Sequence, residues 1–316
     1  MTNPVTSRAG ILVGPTAVGK SAVAQWLAEQ TRSAILSADS MLVYQGMDIG
    51  TAKPTVAERG NVPYFGIDCV PAGAHFDTGE WIAFVARQRR ERPAEAALPL
   101  IVAGGTGLYV KALLEGLDSP VASDLAERAK WNDVFAREGI EGLRRAIAAR
   151  HCEALLAPSD GENPRRLIRA LERAAAGETS RGGWKSAPER PPIAGLSMDR
   201  SVLNDRIFRR IKKMFEDGLV EEALRVRETC GALSPTACQA IGYEEALAIA
   251  DGAMGRDEAI ERIAVRTRHL AKRQMTWFRH QMAVEWIEVE DGESPESIGE
   301  RVLGIWRKHG LSEIRI

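Results

Sequence analysis

The stretch ILVGPTAVGKS, residues 11–21, joins a short apolar run to a glycine-rich loop. It fits the pattern G-x-x-x-x-G-K-[ST], in which glycines let successive backbone N–H groups point at an anion. The lysine adds a point charge, the serine hydroxyl can ligate Mg²⁺, and the helix predicted over Ser21–Glu29 offers its positive end. This arrangement predicts a phosphate-binding loop. Its members are Gly14, Pro15, Thr16, Ala17, Val18, Gly19, Lys20 and Ser21.

Short apolar strands alternate with helices through the first third of the chain. Strands are predicted at Gly10–Val13, Ser33–Ala38, Tyr64–Val70 and Leu98–Gly105, with a helix over Glu80–Arg92. Because such alternation is typical of a parallel sheet covered by helices, we expect an α/β fold with a P-loop NTPase-like core.

The second half of the chain is mostly helical by its periodicity. Residues 119–177 are rich in Ala, Arg and Glu, so 119–192 is predicted to be a helical insertion domain, ending in a surface loop over 178–192. The core is then 1–118 with 193–316. In its second part we expect a strand at 193–198, helices over 203–281, an edge strand at 284–289 and a last helix at 295–309.

Composition excludes several classes of protein. The net charge of −1 over 316 residues argues against a chain that is basic everywhere, so any nucleic-acid surface must be local. The four cysteines are scattered, which supports neither a zinc site nor a disulfide framework. No apolar run could span a bilayer, and the first ten residues lack a signal core. We expect a cytoplasmic monomer without a membrane partner.

The acidic residue that usually holds magnesium in a P-loop ATPase is missing from its customary place. The strongest strand, LPLIVAGG, ends in glycines and then Thr106. Asp39 does follow a strand, but Ser40, Met41 and Leu42 come directly after it. This pattern favours a loop that grips a departing diphosphate over one that serves transfer of a terminal phosphate.

A long helix over Glu261–Gln281 is predicted to carry a basic face. Arg262, Arg266, His269, Arg273 and His280 fall on one stripe. Ile263, Leu270 and Trp277 fall opposite them and are expected to anchor the helix. Since no acidic residue occurs between Glu261 and Glu285, this face suits the phosphate backbone of RNA.

Six blocks, in order, resemble the tRNA dimethylallyltransferase family, also called tRNA isopentenyltransferases. They are GPTAVGKS (14–21), SADSMLVYQGMDIGTAKP (37–54), GGTGLYVKALLEGL (104–117), NPRRLIRALE (163–172), QAIGYEE (239–245) and KRQMTWFR (272–279). Eukaryotic relatives with a C-terminal zinc finger differ from this chain, which resembles the compact bacterial type.

The resemblance implies transfer of a prenyl group from dimethylallyl diphosphate to the exocyclic amine of the adenosine 3′ of the anticodon, in tRNAs reading codons that begin with U. It implies that Asp39 is the general base, that Thr106 bonds the oxygen linking the prenyl carbon to the diphosphate, and that Lys20 stabilises the departing group. Mg²⁺ on Ser21 is the implied cofactor. Arg206 and Arg210 match arginines placed near the diphosphate.

The implied tRNA contacts, to an anticodon stem-loop, are spread along the chain. Tyr243 could stack on a base, and Gly242 permits close backbone approach. The full set is Asp39, Ser40, Met41, Leu42, Thr106, Arg128, Arg165, Arg166, Leu167, Ile168, Arg169, Gln239, Ala240, Ile241, Gly242, Tyr243, Glu244, Lys272, Arg273, Gln274, Met275, Thr276, Trp277, Phe278 and Arg279.

Three other functions fit parts of the sequence. A small-molecule or nucleoside kinase would share the P-loop and arginines, but the missing strand-end acid and the basic helix count against it. A noncatalytic RNA-binding module with a decayed P-loop conflicts with the intact Lys20–Ser21 pair. A prenyltransferase for free adenine nucleotides would need neither the arginines at 165–169 nor the basic helix.

Overall fold

The computed structural model describes residues 6–117, 124–180 and 191–316. The chain divides into unit 1, which comprises Met1–Leu114 and Pro188–Ile316, and unit 2, which comprises Glu115–Ala187. The predicted insertion, 119–192, overlaps unit 2. Its first boundary and most of the predicted loop over 178–192 lie outside the described residues.

Unit 1 is built on a mostly parallel sheet, as expected. Its strands are β1 (Thr6–Val13), β2 (Ala34–Ser37), β3 (Tyr44–Gln45), β4 (Tyr64–Phe65), β5 (Val70–Pro71), β6 (Leu100–Gly104), β7 (Ile193–Ser197), β8 (Val284–Glu288) and β9 (Ser312–Arg315). Within the described residues the main sheet has the parallel order β4-β2-β6-β1-β7-β8, and β9 pairs antiparallel with β1. Strand β2 is buried along its whole length, because helices cover both faces of a parallel sheet.

Helices of unit 1 cover the sheet and form its second half. They are α1 (Lys20–Thr31), α2 (Val56–Arg59), α3 (Thr78–Glu91), α4 (Pro93–Ala96), α5 (Gly107–Glu115), α8 (Arg200–Glu216), α9 (Leu219–Cys230), α10 (Tyr243–Ala250), α11 (Arg256–Gln281) and α12 (Pro295–His309); α6 and α7 belong to unit 2. Glycines let α12 pack closely on its neighbours. A Cβ on Gly299 would lie 2.3 Å from the Trp26 ring of α1, and one on Gly10 would lie 2.7 Å from Trp306. None of the helices in the described ranges is both long and apolar enough to cross a bilayer.

The carboxyl ends of the central strands meet at one edge of the sheet. Parallel pairing sets Val13 opposite Gly104 and Ser37 opposite Ala103. A Cβ on Gly104 would lie 2.1 Å from the carbonyl oxygen of Ala38, so only glycine fits there. Gly14 has a φ of +149°, and a Cβ on it would lie 2.6 Å from the carbonyl oxygen of Leu196. These close approaches bring the loops after β1, β2 and β6 together.

Unit 2 is a small helical cluster. Helix α6 (Leu125–Ala149) changes direction at Gly139, whose φ is 63° and ψ is −160°, and α7 is Pro164–Ala175. The two helices pack around an apolar core of their own. Its buried members are Trp131, Leu143, Ile147, Cys152, Leu155, Leu167, Ile168, Ala170 and Leu171.

Two parts of the sheet differ from the sequence-based prediction. The single strand predicted over Tyr64–Val70 is wrong: β4 joins the main sheet, whereas β5 pairs with β3 in a separate two-stranded sheet. Positive φ values at Gly66 (75°) and Asp68 (51°) turn the chain between them. Strand β9 was not predicted, because SEIR carries no extended apolar run. The edge strand β8 and the last helix α12 are confirmed.

Candidate active site

The loop between β1 and α1 adopts an anion-binding conformation. Gly14, Ala17 and Gly19 all have positive φ, at 149°, 68° and 105°, and α1 begins at Lys20. The Lys20 Nζ donates a hydrogen bond to the carbonyl oxygen of Pro15 at 2.6 Å. The loop therefore curls in front of the helix N-terminus with its lysine folded over it.

Two cations face one carboxylate beside this loop. Burial lowers the pKa of Lys20 to about 8; the charge of Asp39 partly offsets this effect, and Arg210 adds to it. Burial likewise lowers the pKa of Arg210, and Asp39 again opposes the shift. The Arg210 Nη2 donates to Thr16 Oγ1 at 2.9 Å, whereas its Nε is buried with no partner among the described residues. Both cations are therefore desolvated beside the phosphate-binding loop, and the charge of Asp39 opposes that effect only in part.

Asp39 lies in the turn after β2. Its Oδ1 accepts a hydrogen bond from the Met41 backbone N–H at 2.9 Å, and no described residue bonds its second oxygen. Thr106 joins this turn to β6: its backbone N–H donates to Ala38, its Oγ1 accepts from the Ser40 N–H at 3.0 Å, and its hydroxyl donates to Ser40 Oγ at 3.2 Å. Asp39 thus has one carboxylate oxygen free for a ligand, while Thr106 holds the turn in place.

A cavity of about 750 Å³ adjoins the loop and brings several predicted residues together. The predicted residues that line it are Thr16, Ala17, Gly19, Lys20, Ser21, Asp39, Leu42, Arg210 and Gln274. Those that do not line it are Gly14, Pro15, Val18, Ser40, Met41, Thr106 and Arg206. Arg206 still lies near the loop, since its Nη2 is 3.9 Å from the position of a Cβ on Gly19, but its Nε is 3.8 Å from Asp291.

Ser21 and Asp39 are two side chains of this cavity beside the phosphate-binding loop whose oxygens could ligate a divalent cation. The exposed Ser21 side chain forms no hydrogen bond with another described residue. Hydroxyl and carboxylate oxygens suit Mg²⁺, which keeps several waters and takes its other ligands from phosphate. His75, Asp77 and Glu80 form another cluster of side chains that could ligate a metal ion. Asp77 caps helix α3 in this cluster, because it accepts the backbone N–H groups of Gly79 and Glu80.

Gln274, one of the predicted tRNA contacts, forms hydrogen bonds to two loops of this site. Its Oε1 accepts the backbone N–H of Thr16 at 2.8 Å, and its Nε2 donates to the carbonyl oxygen of Gly105 at 3.1 Å. The amide of α11 therefore connects the phosphate-binding loop to the loop after β6. The sequence did not predict these two hydrogen bonds, because the partners of Gln274 lie more than 150 positions away.

A buried carboxylate on α9 holds another wall of the cavity. Glu222, 3% exposed, accepts hydrogen bonds from the backbone N–H groups of Asp48, Ile49 and Gly50 and from the Tyr243 hydroxyl at 2.6 Å. Residues 51, 52 and 54, which follow directly, line the cavity. Glu222 was missed by the sequence analysis, because no local pattern distinguishes it from the exposed Glu221 beside it.

The basic face of α11 is smaller than predicted. Arg262 and Arg266 form ion pairs with Glu244 and with Glu245, whose side chain is fully buried. Farther along the helix, the rest of the basic face lines a second cavity of about 690 Å³. It is lined by His269, Lys272, Arg273, Thr276, Trp277, His280 and Gln281. Within the described ranges Lys272 and Arg273 form no ion pair, so their charge is available to an outside anion.

Several predicted tRNA contacts are buried in the structure. Tyr243 is 1% exposed, so the prediction that it stacks on a base is wrong for this conformation. Phe278, at 0%, takes the anchoring role predicted for Leu270, which is only partly buried. Leu167, Ile168 and Ala240 are also buried. Two of the predicted contacts are exposed, Gln239 and Glu244, and four are partly exposed, Met41, Ile241, Met275 and Trp277. Gly242 has a φ of +111° and directly precedes α10.

The arginines of unit 2 are largely paired within it. Glu172, whose side chain is fully buried, accepts hydrogen bonds from Arg128 at 2.6 Å and from Arg169 at 3.1 Å. Arg166 pairs with Asp160 at 3.0 Å. Arg165 is exposed and has no side-chain partner among the described residues. The cluster therefore presents less unpaired charge than its four arginines suggest.

Comparisons with known proteins agree on one family. The sequence profile described as IPP transferase matches residues 42–281. A tRNA dimethylallyltransferase of Bacillus velezensis is 38% identical over 285 residues, covering 88% of this chain and 90% of its own. One from Geobacillus thermodenitrificans is 37% identical over 309 residues, covering 96% of each. The crystal structure of a tRNA isopentenylpyrophosphate transferase from Bacillus halodurans aligns with a TM-score of 0.65 and 31% identity, covering 96% of this chain and 97% of that one.

Replacing Glu222 by alanine should destabilise the fold and release the backbone of residues 48–50 beside the cavity. Three backbone N–H groups and the Tyr243 hydroxyl would lose their shared acceptor, and we expect the free energy of unfolding to fall by about 3 kcal/mol. Urea unfolding of Glu222→Ala measures the loss. The neighbouring Glu221→Ala is the control and should shift the free energy of unfolding by less than about 1 kcal/mol, because Glu221 is exposed. Equal losses in the two variants would contradict the assignment.

Proposed function

The chain belongs to the IPP transferase family, and from this premise we propose that it transfers a dimethylallyl group from dimethylallyl diphosphate to tRNA. The acceptor is the exocyclic N6 amine of the adenosine 3′ of the anticodon, in tRNAs reading codons that begin with U. The protein acts as a cytoplasmic monomer on the anticodon stem-loop. Its substrates are therefore an allylic diphosphate and a structured RNA.

The observation that carries the proposal is a single cavity lined by both Lys20 and Asp39. Prenyl transfer to an amine needs both groups beside one ligand, because diphosphate leaves as nitrogen attacks. A kinase site also places a carboxylate beside its phosphate-binding cations, where it accepts the proton of a hydroxyl. The family of the chain therefore favours prenyl transfer over phosphoryl transfer.

The reaction breaks one bond and forms one. The N6 lone pair attacks C1 of the dimethylallyl group, the C1–O bond breaks, and diphosphate leaves with both electrons of that bond. The attacking amine then carries an extra proton, and the Asp39 carboxylate accepts it. The fixed turn around Asp39, with Met41 N–H on one oxygen, leaves the other oxygen to orient the amine.

Charge develops on the diphosphate oxygens as the C1–O bond lengthens. Lys20 and Arg210 are held near these oxygens before the substrate arrives, so little reorganisation is needed during the reaction. Mg²⁺ held by Ser21 would neutralise part of the same charge. The two desolvated cations, Lys20 and Arg210, support binding of an anion with two phosphates.

The RNA-facing surface is assigned to the cations that remain unpaired. On α11 these include Lys272 and Arg273 beside the second cavity, and in unit 2 they include the exposed Arg165. Swinging the target adenosine out of the anticodon loop costs a few kcal/mol, and phosphate contacts made by these cations offset it.

The direct test is incubation of the purified protein with unmodified tRNA and dimethylallyl diphosphate. Mass spectrometry of the digested nucleosides should then show N6-dimethylallyl adenosine. A parallel incubation with ATP and no prenyl donor tests the kinase alternative. Consumption of ATP with the prenyl donor left intact would refute the proposal.

Asp39→Ala should abolish transfer, by about 10²- to 10⁴-fold or more, while tRNA binding stays within a few-fold. Asp39→Asn is the matched variant, since its amide oxygen can still accept the Met41 N–H but takes no proton. Single-turnover rates and tRNA affinities measure both effects. Near-normal turnover in either variant would exclude Asp39 as the base.

The double variant Lys272→Ala with Arg273→Ala should weaken tRNA binding and flatten its salt dependence. Loss of two phosphate contacts is expected to reduce the slope of log K against log salt by about 1–2. Lys212→Ala with Lys213→Ala on α8 removes the same charge from another exposed pair and should leave the slope unchanged. Binding isotherms at several salt concentrations compare the two. Identical slopes for both double variants would remove α11 from the interface.

A further inference from the structure

Along strand β2 and the turn after it, the side chains that line the cavity change from apolar to polar to charged. Side chains alternate along a strand, so Ile35 and Ser37 point the same way, and both line the cavity together with Asp39. Ser37 is 4% exposed. Its hydroxyl oxygen is buried and finds no hydrogen-bond partner among the described residues.

A buried hydroxyl without a partner calls for an explanation. Nearly all buried polar side-chain atoms in native proteins are hydrogen-bonded, since desolvating them without compensation is unfavourable. Ser33, at the other end of β2, follows this rule: it is also 4% exposed, but its Oγ lies 2.7 Å from Thr31 Oγ1. Ser37 departs from it at the cavity wall, which indicates that its partner is the ligand.

A second unpartnered atom in the same cavity defines the chemistry of that ligand. The buried Nε–H of Arg210 also lacks a partner, and a guanidinium can only donate. The missing group must therefore be an acceptor. Lys20 lines the same cavity, so the acceptor that suits all three donors is an anionic oxygen.

We propose that the Ser37 hydroxyl donates a hydrogen bond to a phosphate oxygen of the diphosphate of the prenyl donor. The proposal rests on the function proposed above for this cavity. Ser37 is then a diphosphate-binding residue rather than a structural one. Its hydrogen bond strengthens as negative charge develops on the departing diphosphate, so its loss affects the rate as well as binding.

The Ser37→Ala variant separates binding from folding. Removing an unpartnered hydroxyl takes no bond from the folded protein, so Tm should stay the same or rise. Affinity for inorganic diphosphate with Mg²⁺, measured by calorimetry, should fall about 10- to 100-fold, as should kcat/KM for dimethylallyl diphosphate. The KM for tRNA should not change.

Ser33→Ala is the matched control with the opposite expectation. It removes a hydroxyl that is bonded in the fold and lies away from the cavity lining, so Tm should fall while diphosphate affinity and transfer stay within about two-fold. Ser37→Thr keeps the hydroxyl on a β-branched residue suited to a strand, and it should recover much of the diphosphate affinity. This variant decides the matter if Ser37→Ala folds poorly.

Three outcomes would overturn the proposal: diphosphate affinity of Ser37→Ala equal to that of the unmodified protein, a rise in the KM for tRNA instead of the donor, or no recovery in Ser37→Thr. Failure of the proposed function looks different. In that case the unmodified protein forms no dimethylallyl adenosine, while the calorimetric comparison of Ser37→Ala with Ser33→Ala still reports whether Ser37 holds diphosphate.

Discussion

The parallel register of the central strands is the constraint on which the site depends. Backbone hydrogen bonds fix Val13 opposite Gly104 and Ser37 opposite Ala103, so the loops after β1, β2 and β6 leave the sheet at one level. Gly104 lies so close to Ala38 that the Thr106 N–H can bond the Ala38 carbonyl at 3.0 Å. Any side chain at Gly104 would separate the turn that carries Asp39 from the loop it must face.

Bringing these loops together buries two positively charged side chains, Lys20 and Arg210. Lys20 and Arg210 are held in a site where burial lowers the pKa of both, and Asp39 compensates only in part. Hydrogen bonds hold both side chains in these buried surroundings. Lys20 donates to the carbonyl oxygen of Pro15, and Arg210 donates to the Thr16 hydroxyl. Desolvation thus disfavours the charged forms of both side chains, and a neighbouring anion would stabilise them.

What the sequence predicted correctly was local. A strand, a glycine loop and a helix follow one another within residues 10–31, so their geometry is set by neighbours, and Asp39 is fixed by the strand just before it. The hydrogen bonds of Gln274 and the roles of Glu222 and Ser37 could not be predicted, because they depend on residues brought near by folding. Periodicity likewise gave α11 an amphipathic pattern but could not distinguish Leu270 from Phe278 as its anchor.

Long separations in sequence also explain why a count of basic residues overestimates the unpaired positive charge on the surface. The acidic partners of Arg128, Arg262 and Arg266 lie in other helices. Each unit contains a fully buried glutamate that holds two arginines, Glu245 with Arg262 and Arg266 in unit 1, and Glu172 with Arg128 and Arg169 in unit 2. A buried carboxylate needs such partners, because desolvation makes a lone charge unfavourable. In unit 1 the exposed Glu244 also pairs with both arginines, so two carboxylates balance their two charges. These arginines therefore stabilise buried carboxylates within the fold, and their ion pairs are visible only in the structure.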